Sequence, residues 1–101
     1  MRREQALETL RRAEPLLRSL GVGAAALFGS VARGEGDGSS DVDIAMRPAT
    51  GATIGPLTLL SIHGVLGDAF GYDTPIDVVV LPTRSPELAD AIEREGLLAF
   101  S

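Results

Sequence analysis

The sequence predicts an α/β (α+β) chain with a small mixed sheet flanked by helices. Three observations carry this reading. "PIDVVVL" at 75–81 is β-branched and bracketed by prolines, as a strand should be. "SPELADAIERE" at 85–95 has the start and stop signals of a helix. Helix-like and strand-like segments alternate along the chain, the pattern of a sheet covered by helices. The 101 residues fit one domain, 1–101, with no internal repeat and no linker.

Residues 4–19 open the chain as a helix. Leu7, Leu10, Leu17 and Leu20 fall on or near one face, with Glu and Arg on the other. Pro15 should kink or split it, and Gly21 and Gly23 mark its end. "VGAAALF" at 22–28 is a short apolar run that reads as a buried strand. Residues 29–40 form a Gly/Ser-rich turn with room for one helical turn near Val31 to Arg33. "DVDIAM" at 41–46 alternates and reads as a second strand. A loop follows from Pro48 to Pro56, then a helix over 57–70, weakened by Gly64 and Gly67. The strand at 75–81 comes next. In the helix at 85–95, Ser85 is the N-cap, Pro86 takes the first position and Gly96 ends it. "LLAF" at 97–100 closes the chain as a short strand.

Composition narrows the chemistry. Hydrophobic residues make up 45%, enough for a packed core and too many for a disordered chain. There is no cysteine, so disulfides and thiolate metal sites are excluded. No apolar run approaches the ~20 residues of a membrane span, and the charged N-terminus has no signal-peptide core. A cytoplasmic protein is the expectation. The net charge is −5, with nine arginines and no lysine. Binding to long DNA or RNA leans on clustered cations, so neither is expected as a partner. A small metal-bound polyphosphate is compatible, because a bound cation offsets local negative charge.

The acids are the unusual feature. Asp41 and Asp43 lie two apart on a predicted strand and share a face, while Val42, Ile44 and Met46 take the other. In 75–81 the same alternation separates Asp77 from Ile76, Val78 and Val80. If the two strands are neighbours, three carboxylates can converge. Unpaired, they repel and resist desolvation, and a divalent cation relieves both. Oxygen-only donors suit Mg²⁺ or Mn²⁺. An Asp that merely forms a turn before a strand would account for Asp41. It accounts poorly for Asp43 and worse for Asp77, which interrupts an apolar run.

Ahead of the acids, Gly29 and Ser30 follow the first strand. Glycine permits a close backbone approach, Ser30 offers a hydroxyl, and Arg33 can supply a fixed cation for phosphate oxygens. A plain surface turn would have the same composition. Other readings of the region fail. A P-loop needs a lysine, which the chain lacks. A calcium loop starting at Asp37 would place Val42 at the required glycine and Pro48 at the required glutamate. "GVGAAA" at 21–26 precedes its strand, where a dinucleotide fingerprint follows one. His63, the one histidine, falls in another element, so Ser30 has no base partner and His63 reads as an ordinary helix residue.

Gly29-Ser30, ten intervening residues and Asp41-x-Asp43 match the GS-x10-DxD signature of the polymerase-beta-like nucleotidyltransferase superfamily. The longer string "FGSVARGEGDGSSDVDIAM" resembles its minimal nucleotidyltransferase (MNT) subgroup, with the pattern GSxARGxxxxxSDxDL. Ile44 replaces the leucine. "IEREGLLAF" resembles the subgroup's ending, with Phe100 where tyrosine is common. The resemblance spans the chain, but only 28–46 is highly specific, and 48–74 carries no motif.

The resemblance implies that Asp41, Asp43 and Asp77 are catalytic and hold two Mg²⁺ ions, with Mn²⁺ an alternative. Gly29, Ser30, Arg33 and Ser40 would bind ATP or another NTP. A hydroxyl would attack the α-phosphorus and pyrophosphate would leave. At 101 residues no added acceptor-binding domain is expected, and the subgroup typically pairs with HEPN-domain toxins. The expected function is therefore an antitoxin that transfers AMP to a tyrosine of a HEPN partner, with which it would assemble. Two alternatives are an antitoxin that neutralises its toxin by binding alone and a transferase acting on small molecules such as aminoglycosides.

Overall fold

The computed structural model describes residues 1–35 and 41–101. Pro15 splits the first helical segment in two, α1 (Arg3–Arg12) and α2 (Glu14–Ser19). It sits in the first turn of α2, where its missing N–H breaks no helical bond. Leu10 and Leu17 are buried, and Leu7 and Leu20 pack against the core from its rim. The apolar run after them is β1 (Val22–Phe28), and one helical turn, α3 (Gly29–Ala32), follows at once.

The second strand, β2 (Val42–Pro48), begins one residue later than the alternation predicts and runs two further, with Asp41 just before it. Then come α4 (Pro56–Phe70), β3 (Ile76–Val80), α5 (Pro86–Glu95) and β4 (Leu97–Phe100). Ser85 caps α5 as its sequence predicts, its Oγ accepting from the Leu88 N–H at 3.2 Å.

The four strands lie in the order β3-β2-β1-β4. β1 is antiparallel to both β2 and β4, and β2 is parallel to β3, so the sheet is mixed as expected. The parallel pair needs a crossover, which α4 supplies. Val42, Ile44 and Met46 of β2 are fully buried together with Leu10, Leu17, Ile62 and Leu66 of α1, α2 and α4. The alternate residues Asp43, Ala45 and Arg47 therefore face the other side of the sheet. There Ile92 of α5 shares a small cavity with Ala26, Ala45, Arg47 and Leu81. No helix among the described residues is long and apolar enough to cross a membrane.

Candidate active site

The site is built where β1 ends and β2 and β3 begin. Strand register does the positioning: Phe28 pairs with Asp43 across the antiparallel ladder, and Asp43 pairs with Asp77 across the parallel one. Two carboxylates thus stand side by side on one face of adjacent strands. The Val42 N–H donates to the Pro75 carbonyl at 2.9 Å, which ties the chain entering β3 to the start of β2. Asp41 is exposed beside Val42, Asp43 is half-buried and Asp77 is exposed.

Gly29 comes directly after Phe28, so register brings it to Asp43. Its φ is +77°, a conformation that L side chains rarely adopt. A Cβ on Gly29 would also overlap Oδ2 of Asp43. Glycine is thus required here twice over, by backbone conformation and by the neighbouring carboxylate. Ser30 follows, half-buried in the single turn of α3. The turn is closed by its own chain: N–H groups of Arg33, Gly34 and Glu35 donate to the carbonyls of Gly29, Val31 and Ser30. Its first N–H groups have no partner within the helix, as at any helix start.

Burial pushes the Asp43 carboxyl above the ordinary aspartate range, and the charges of Asp77 and then Asp41 push it further. The Arg33 guanidinium acts in the opposite sense. Arg33 itself is engaged. Its Nε donates to Glu35 Oε1 at 2.9 Å and its Nη1 to Glu95 Oε2 at 2.8 Å. The sequence predicts a cation at this turn; it does not reveal that the cation is already held by two carboxylates. Glu95 is the residue the sequence reading missed. Its signals are its place in the subgroup-like ending "IEREGLLAF" and an acid at the last position of a helix, where the macrodipole disfavours negative charge.

The structure thus brings together Gly29, Ser30, Asp43 and Asp77, with Arg33 and Asp41 close enough for their charges to act on Asp43. Ser40 lies outside the described residues. His63 is exposed on α4, across the sheet from the carboxylates. A groove of about 370 Å³ lined by Thr9, Leu16, Val65 and Asp68 belongs to the α1, α2 and α4 side. Among the described residues no three His, Cys, Asp or Glu side chains close into a ready-made metal cluster. The donor chemistry nevertheless fits a hard divalent cation, being all carboxylate oxygen, mutually repelling and partly desolvated around Asp43.

A family model described as polymerase beta nucleotidyltransferase matches residues 12–101. Several solved structures share the fold. One assigned as a minimal nucleotidyltransferase is 28% identical with a TM-score of 0.74, the match covering 96% of this chain and 95% of that one. A toxin–antitoxin structure with AMP-PNP is 23% identical with a TM-score of 0.69, covering 100% of this chain and 74% of the other. A complex of the tri-AMPylated HEPN toxin of Shewanella oneidensis with its MNT antitoxin is 23% identical with a TM-score of 0.66, covering 96% and 72%. No curated protein is significantly similar to the chain.

Proposed function

The chain belongs to the polymerase beta nucleotidyltransferase family, and on that premise we propose that residues 1–101 act as one adenylyltransferase domain, an antitoxin that moves AMP from ATP to a tyrosine hydroxyl of a HEPN-domain toxin. The observation that carries this reading is the position of Asp43. It is paired with Asp77 across one strand ladder and pressed against Gly29 at the end of the other.

The Gly29–Ser30 turn binds the triphosphate through backbone N–H groups and the Ser30 hydroxyl. Gly29 allows a phosphate to approach next to Asp43, where a side chain would block both. Asp41, Asp43 and Asp77 would hold two Mg²⁺ ions, and Mn²⁺ suits the same oxygens. When bound, such ions neutralise the carboxylates and stabilise charge on the attacking and leaving oxygens. Asp77, at the exposed edge of the pair, accepts the proton of the incoming hydroxyl. The hydroxyl oxygen forms a bond to the α-phosphorus, in line with the bond to pyrophosphate that breaks. Arg33 and Ser40 steady the phosphates. The HEPN protein is partner and acceptor at once, in line with the toxin–antitoxin complexes of similar fold.

The test is co-expression with the cognate HEPN protein. Growth should be protected by the wild-type chain and not by the Asp41→Ala/Asp43→Ala variant, provided that variant is folded and still binds its partner. Full protection by the variant would mean an antitoxin that works by contact alone.

A further inference from the structure

We infer that Glu95 is a positioning residue for the nucleotide: it holds the Arg33 guanidinium at the end of the Gly29–Ser30 turn so that its Nη2 group can donate to a phosphate oxygen. The inference rests on the triphosphate reading of that turn.

Glu95 is the last residue of α5. An acid there opposes the helix macrodipole, so the helix does not explain it. What it does is reach across to α3. The position is set by register, since Leu97, two residues on, pairs with Leu27 of β1, and Phe28 next to Leu27 pairs with Asp43. The end of α5 is therefore fixed relative to the carboxylates through two strand ladders. Of the two acids on Arg33, Glu95 is the better sheltered, its side chain 24% exposed against 65% for Glu35.

A guanidinium has five N–H donors in a rigid plane. Glu35 takes the Nε–H and Glu95 one Nη1–H, and no acceptor among the described residues takes Nη2. Nη2 carries two N–H donors, which a phosphate oxygen can accept. A long arginine tethered at two of its nitrogens loses less freedom when it meets that phosphate. Releasing Glu95 would leave a cation of the same charge in less defined positions.

The experiment is calorimetric titration of MgATP into the 101-residue chain and three variants: Glu95→Gln, Arg33→Ala and the double variant. Thermal melts accompany each to establish folding. Glu95→Gln should weaken MgATP about two- to fivefold, the range of a partly exposed ion pair. Arg33→Ala should weaken it about tenfold or more. In the Arg33→Ala background, Glu95→Gln should add nothing, because Glu95 acts only through Arg33. The inference is overturned if Glu95→Gln leaves affinity unchanged or tightens it, or if its effect persists without Arg33. A wild-type chain that binds no MgATP would instead remove the triphosphate reading itself, and this inference with it.

Discussion

Asp43 and Asp77 stand directly opposite each other on neighbouring parallel strands. Like charges facing across a ladder destabilise a sheet. Asp43 bears the consequence: burial, then Asp77 and Asp41, raise its pKa above that of the unfolded chain. The stabilising proton on Asp43 is fully present below the unfolded pKa and lost as pH rises through the folded one. At neutral pH without divalent cations, ionised Asp43 thus weakens the fold. Asp43→Asn should raise the melting temperature by a few degrees at pH 7 in chelator, with a smaller gain in acid. Adding Mg²⁺ should stabilise the wild type and leave the variant unmoved. Melting curves of both proteins, with and without Mg²⁺, check this.

Gly29 predicts a contrast between strain and site. Gly29→Ala puts a side chain at φ +77° and onto Asp43. The conformation alone costs about 1–2 kcal/mol, and the overlap displaces the carboxylate. Gly51 has a similar φ, +82°, but a Cβ there meets nothing within 4 Å. Gly51→Ala should therefore lose stability and keep MgATP affinity, while Gly29→Ala loses both. Paired denaturation and titration experiments separate the two effects.

Ser85 offers a purely structural counterpart. Removing its hydroxyl leaves the Leu88 N–H without its cap, and Ser85→Ala should cost about 1 kcal/mol. Urea unfolding should show that loss, with the midpoint shifted and MgATP binding unchanged.

Much of this arrangement is legible in the sequence, and the reasons are local. The prolines and β-branched run around Asp77 mark β3, the Ser-Pro start and Gly96 mark α5, and Pro15 marks the break between α1 and α2. The period of two in 41–46 is enough to mark β2 and to turn Asp43 away from Val42, Ile44 and Met46, which are buried. What is not local is not legible. The resemblance implies that Asp77 meets Asp41 and Asp43, but residue pattern alone does not say that β2 and β3 are adjacent, parallel and in the register that sets Asp43 beside Asp77. Nor does it say that Arg33 is held by Glu95, 62 residues away. Both depend on how α4 and α5 cross the sheet. The boundary of β2 shifts for a related reason. Asp41 is exposed, and the ladder begins only where Val42 can be buried and its N–H can reach Pro75.

The most direct test of the account is transfer itself. The purified chain is incubated with α-labelled ATP, Mg²⁺ and its cognate HEPN protein, beside Asp77→Asn and a chelator control. The account predicts label on a tyrosine of the HEPN protein, with release of pyrophosphate, and none with chelator or with folded Asp77→Asn. Label appearing at the wild-type rate with Asp77→Asn would contradict the role given to the facing carboxylates. No label with the wild type, in a mixture where the two proteins demonstrably bind, would contradict transfer altogether.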